Sequence, residues 1–295
     1  MTSEVSTSAR LASFERWAAL SLVLSAFLLL LLAGFWIGRL SGLGSGGEAY
    51  GFRATAFAAV ATGCCISHGW ASGGARFIGR FVAIGLATSL STELAGVATG
   101  SIFGPYAYTS AFPAKIFGLV PVIIPFIWFS ISYWSFATAR AITAPLGAAG
   151  RASGIVQTLL AASLLLGYDL TADPNHVFRG GWSYGGPDFF YGVPLQNFVA
   201  WFVIGSVMFA LVGRFAYPRG AQVVHSPLHD RVAPLVYVAL LLHESAFAFF
   251  VSDLPGAGWL GLGIASALTA ALTTAWMRGA PEHRDRVVNA SAESW

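Results

Sequence analysis

Apolar runs alternate with short polar segments along almost the whole chain, and arginines bracket the runs. A helix needs about 20 mainly apolar residues to cross a bilayer. Eight stretches approach that length, at roughly 17–37, 53–70, 77–99, 113–139, 152–169, 194–213, 232–251 and 256–277. The pattern predicts an all-α polytopic membrane helical bundle of about eight transmembrane helices. Seven is the alternative count, because only the short DLPGAG turn separates the last two runs. Pro121 and Pro125 fall inside the fourth run and predict a kink there. The polar ends, 1–16 and 279–295, read as tails around a single transmembrane domain over 17–278.

Composition agrees with the pattern. Of the 295 residues 56% are hydrophobic and 10% charged, against about 25% charged in soluble domains. Twelve of the sixteen Lys and Arg fall on one side of an eight-span arrangement, the exceptions being Arg39, Arg53, Lys115 and Arg179. Cytoplasmic loops carry the basic excess, so both termini are expected in the cytoplasm. The formal charge of +3 is spread between spans, which points to the lipid bilayer and not to nucleic acid as the environment. The first run is too long for a signal-peptide core, and Trp36 and Arg39 follow it where a cleavage site would stand. It reads as a first membrane helix, with an inner or plasma membrane location. Cys64 and Cys65 are adjacent inside an apolar run and read as small core residues.

One segment breaks the apolar texture. Residues 167–197, GYDLTADPNHVFRGGWSYGGPDFFYGVPLQN, concentrate aspartates, a histidine, an arginine and many aromatics. Disordered segments are poor in aromatics, so a folded cap over a site is expected, with a structured non-cytoplasmic loop at 170–193. Asp169 and Asp173 are four apart and would share a helix face, as a carboxylate pair does. Pro174 argues that the helix stops at or before Asp173.

Ionisable groups inside membrane helices are costly and mark function or pairing. Glu93, flanked by small residues, is either bonded to a neighbouring helix or a proton-donating acid. With it, Asp169, Asp173, His176, Asp188, Asn197 and Asp253 gather toward the non-cytoplasmic half of the bilayer. His243 and Glu244 lie midway along the seventh run and point about 100° apart, so one can face the interior while the other pairs across a helix. HSPLHD, with His225, His229 and Asp230, loosely resembles the histidine boxes of membrane di-iron oxygenases. Pro227 and a total of six histidines argue instead for a solvated loop. The aromatics Phe103, Tyr106, Tyr108, Trp128, Trp134, Trp182 and Tyr191 read as an interfacial belt or as a groove for a polyene whose rings stabilise a cation.

Two segments, ELAGVATGSIFGPYAYTSAFPAKIFGLVPVIIPFIWF (93–129) and GYDLTADPNHVFRGGWSYGGPDFFYGVPLQNFVAW (167–201), resemble the signature regions of the integral-membrane carotenoid biosynthesis family. Its characterised members include carotenoid 1',2'-hydratases. The resemblance implies an enzyme that hydrates the terminal C1–C2 double bond of an acyclic ψ end group to a tertiary alcohol. No cofactor and no metal are implied. The implied partners are a hydrophobic carotenoid, water and other carotenoid biosynthesis enzymes. On this reading the catalytic residues are Glu93, Asp169, Asp173 and His176, with Glu93 or Asp169 as proton donor and Asp173 or His176 orienting water. Tyr106, Tyr108, Trp128, Trp182, Tyr191, Asn197, His243 and Glu244 would bind substrate. A polyene isomerase or cyclase, and a non-enzymatic lipid or polyene carrier or small transporter, are the competing readings.

Overall fold

The computed structural model describes residues 2–40, 48–112, 114–146, 151–216 and 226–292, with side chains described within 11–38, 50–112, 114–145, 154–216 and 226–278. His225 lies outside the described residues. The chain is an all-α bundle built from α1 (Thr2–Leu40), α2 (Glu48–Thr99), α3 (Ile124–Thr143), α4 (Arg151–Phe178), α5 (Leu195–Leu211), α6 (Pro227–Phe247) and α7 (Pro255–Ala292). Among the described residues, six helices are long and apolar enough to cross a membrane: 11–38, 50–99, 154–178, 195–216, 227–252 and 255–278.

The 50-residue stretch within α2 covers both the second and the third expected spans. A straight helix of that length would be about 75 Å long, more than twice the bilayer core. Gly74 resolves this with a φ of 76° and ψ of 176°, a left-handed value that suits glycine because it lacks a Cβ. The chain doubles back there. Tyr50 near one end of α2 and Glu93 near the other both reach the same end of the bundle, where each bonds to groups around one cavity.

Helix α3 occupies the interior. Every residue from Trp128 to Phe136 is buried, as expected of a helix surrounded by others. The expected fourth span is corrected here, because α3 starts only at Ile124. Pro121 lies in a short strand, β3 (Val120–Pro121), paired with β2 (Lys115–Ile116). Pro125 sits in the first turn of α3, where a missing N–H costs nothing, so neither proline kinks a helix.

Helix α4 differs most from expectation. It continues through Pro174 to Phe178, so the loop begins after 178 and not at 170. Membrane helices tolerate proline because neighbouring helices compensate the lost hydrogen bond, and α4 packs against α3, α5, α6 and α7. The terminal segments expected as tails are helical in backbone within α1 and α7. The buried aromatics also correct the belt reading: Phe103, Tyr108, Trp128 and Trp134 belong to the core. Cys64 and Cys65 are buried free thiols, as expected.

Candidate active site

Asp169 and Asp173 are four residues apart, and because α4 passes through Pro174 they lie on one helix face. Both are buried, and the Asn197 amide nitrogen of α5 bridges them, donating to Asp169 Oδ2 at 2.9 Å and to Asp173 Oδ2 at 2.8 Å. Glu93 of α2 is 4% exposed and lines the same cavity. Three carboxyl groups from two helices therefore meet in one enclosed space.

A small lid covers them. Strand β1 (Tyr106–Tyr108) pairs antiparallel with β4 (Trp182–Tyr184), setting Tyr106 opposite Tyr184 and Tyr108 opposite Trp182. Side chains two apart in a strand share a face, so all four rings point down at the acids. Tyr106 Oη and Tyr108 Oη donate to Glu93 Oε2 at 2.5 and 2.7 Å, and Trp128 Nε1 of α3 donates to Oε1 at 2.9 Å. Trp182 Nε1 donates to Asp173 Oδ1 at 2.5 Å and Tyr184 Oη to Oδ2 at 2.9 Å. The loop into β1 folds back tightly at Gly104, whose φ is 87°. Burial and then the Glu93 carboxyl push the Tyr106 and Tyr108 phenols above their ordinary range. For Tyr184 the causes are burial and then Asp173. The three phenols thus remain hydrogen-bond donors.

The acids are unequally served. Glu93 accepts three hydrogen bonds and so does Asp173, counting the Asn197 bridge. Asp169 accepts one among the described residues, through Oδ2. For its second oxygen, alone of the six, no hydrogen bond is shown among the described residues. Among the described residues, no Lys or Arg lines the cavity. Among the described residues, no three His, Cys, Asp or Glu side chains converge as a metal site would require.

His176, one turn beyond Asp173, also lines the cavity; its Nδ1 lies 2.7 Å from Tyr50 Oη and its ring rests 4.9 Å from that of Trp182. One wall is aromatic, with Trp128 stacked on Trp201 of α5 at 3.8 Å between centroids. The cavity volume is about 60 Å³, room for a few waters or the tip of a chain.

Of the residues singled out in the sequence, Glu93, Asp169, Asp173, His176, Tyr106, Tyr108, Trp128, Trp182 and Asn197 meet around this cavity. Tyr191, His243 and Glu244 do not. Tyr191 Oη instead accepts the Gly256 N–H, linking the loop to α7. His243 accepts from Trp36 Nε1 of α1, and Glu244 accepts from Asn175 Nδ2 of α4, so this pair bonds across two different helices. Asp188 accepts the Gly192 N–H in a turn, and Asp253, with a φ of 54°, ends the π-helical turn Ala248–Ser252 that follows α6. His229 is buried and stacked on His68 at 4.1 Å, which corrects the solvated-loop reading for this histidine. Helix α6 starts at Pro227, where proline is favoured, and this carries His229 into the bundle. Sequence reasoning missed Tyr184, Trp201 and Tyr50 as site residues. The alternation in Tyr106-Ala107-Tyr108 and Trp182-Ser183-Tyr184 was the available signal for the first.

The sequence model of the family described as carotenoid biosynthesis protein matches residues 52–271. The chain belongs to that family. Every residue lining the acid cavity lies inside the matched region. This carotenoid biosynthesis protein is also similar to the bisanhydrobacterioruberin hydratase of Haloarcula japonica, with 33% identity over 131 residues. The aligned stretch covers 44% of this chain and 43% of that relative. No solved structure matches the chain.

Proposed function

We propose that this protein hydrates the terminal C1–C2 double bond of an acyclic carotenoid end group, giving a tertiary alcohol. The observation that carries the reading is the set of three buried carboxyl groups in one small cavity, two accepting three hydrogen bonds each and Asp169 accepting one. Family membership and the similarity to a hydratase support it.

Asp169 donates its proton to C2 of the double bond, and the resulting tertiary cation at C1 lies among the Glu93 and Asp173 carboxylates and the Trp128 and Tyr106 rings. Negative charge in a site shielded from water, together with aromatic faces, favours such a cation. A water molecule near His176 adds to C1 and releases its proton to Asp173, from which it returns to Asp169 through a second water in the cavity, while Asn197, a donor to both carboxyls, holds them in place. One water is gained and the enzyme is unchanged. Lid donors that hold Glu93 and Asp173 in place keep these bases from collapsing onto the cation.

We further infer eight membrane passes, α2 contributing two through its reversal at Gly74 and α3 one, with both termini cytoplasmic as the arginine distribution indicates. The lid and cavity then lie in the outer half of the bilayer.

Expression in a host that accumulates lycopene, followed by mass analysis of the extracted pigments, tests the activity. A new pigment heavier by one water is expected. Pigment of unchanged mass but altered structure would favour an isomerase or cyclase, and an unchanged pigment set with protein verified in the membrane would reject hydration of this end group.

A further inference from the structure

A carotenoid is far longer than a cavity of about 60 Å³ can hold, so only its end group reaches the acids and the remaining chain must leave through an opening. Most cavity-lining side chains are buried, and the partly exposed ones form two groups. Tyr106, Trp182 and Tyr184 belong to the lid strands and His176 lies at the end of α4 beside Trp182. Ile127 of α3 and Trp201 of α5 lie in the wall of the bundle, where the adjoining side chains are apolar and exposed: Phe126 is 38% exposed, Val199 55% and Val203 52%. An apolar polyene partitions to the second opening.

At that opening the two tryptophans are not equivalent. Trp128 is 3% exposed and its indole N–H is bound to Glu93, whereas Trp201 is partly exposed and rests on the outer face of the Trp128 ring, their planes 13° apart. No hydrogen bond is shown for the Trp201 indole among the described residues, so it can turn away without leaving a broken polar contact. The geometry points to Trp201 as a lateral gate: the polyene enters from the bilayer between Ile127 and Trp201 by displacing the Trp201 ring from its stack. The displaced ring then lies along the chain next to the end group, and Trp128, held by Glu93, stays as the fixed wall.

This rests on a polyene being the ligand of the acid cavity, and the test separates the two. In a Cys64→Ala/Cys65→Ala background, single cysteines are introduced as Trp201→Cys, Ile127→Cys and, as a control on the same lipid-facing helix, Val203→Cys. Each purified variant is compared with itself before and after labelling by N-(1-pyrenyl)maleimide. The readouts are hydration of lycopene and the visible circular dichroism that an achiral polyene acquires in a chiral site. Labelling at positions 201 and 127 is expected to reduce both at least tenfold and labelling at 203 less than twofold. Equal responses at 201 and 203, or full retention at 201, would overturn the gate. If the position 201 variant does not fold, the contrast between 127 and 203 decides alone. Polyene dichroism that is blocked by label at 201 without any hydration of lycopene in the unlabelled protein would keep the gate and reject the hydratase reading instead.

Discussion

Tyr106 stands directly opposite Tyr184 in the lid, 5.6 Å between ring centroids, yet the two phenols serve different acids: Tyr106 binds Glu93 of α2 and Tyr184 binds Asp173 of α4. Two backbone strands thus fix the separation of two carboxyls that no covalent path connects closely. Each phenol donates to a charged-type acceptor, a contact worth about 1.5–3 kcal/mol. Tyr106→Phe and Tyr184→Phe should each slow turnover by roughly tenfold. The double variant should lose less than the product of the two, because neighbouring residues in one network are not additive. A double-mutant cycle on initial rates of pigment hydration checks this; strict additivity would show that the lid does not act as one unit.

Asp169→Asn removes the transferable proton and keeps the shape and the amide bridge. Hydration should fall by about 10²-fold or more, the scale of general acid catalysis, while polyene binding measured by visible dichroism is retained. Glu93→Gln keeps three possible hydrogen-bond partners and should cost less. The reverse order would move the proton donor to Glu93.

Asn197→Leu deletes the one donor shared by Asp169 and Asp173. A buried acceptor left without its partner costs about 1–3 kcal/mol, so thermal unfolding in detergent should shift downward. Adding Asp173→Asn to that variant restores an amide and removes one acid, and it should recover stability but not activity. Failure to recover would place the defect in α5 packing.

Alkaline titration should separate the nine tyrosines into classes. Tyr106, Tyr108 and Tyr184 have phenols raised above their ordinary range by burial and by the acids beneath them. Their contribution to stability is complete below the unfolded phenol pKa of about 10 and is lost as pH rises beyond it. Ultraviolet absorbance should show these three ionising only together with loss of folded structure. Reversible ionisation of all nine near pH 10 would contradict a closed lid.

Gly74→Ala places a side chain at a φ of 76° and ψ of 176°, a strain of about 1–3 kcal/mol. Nothing else crowds that site within 4 Å, so the loss should appear as a lower melting temperature with unchanged turnover at low temperature.

The sequence alone determined the solvent and the class of fold. Runs such as 17–37 and 256–277 are apolar enough that only a bilayer suits them, and helices alone satisfy their backbone there. It also marked most of the acid site, since Glu93, Asp169 and Asp173 would be too costly in a membrane without a purpose. Local rules failed where tertiary contacts outweighed them. Pro174 reads as a stop, but packing on four helices carries α4 past it, and only then do the two aspartates share a face. The sequence could not show that Tyr106 and Tyr184, 78 positions apart, would pair across a lid, because strand register depends on where the helices beneath hold the strand ends. Nor could it separate Trp201 from the other aromatics, since a gate is defined by what lies on either side of the ring, and that is settled by helix packing.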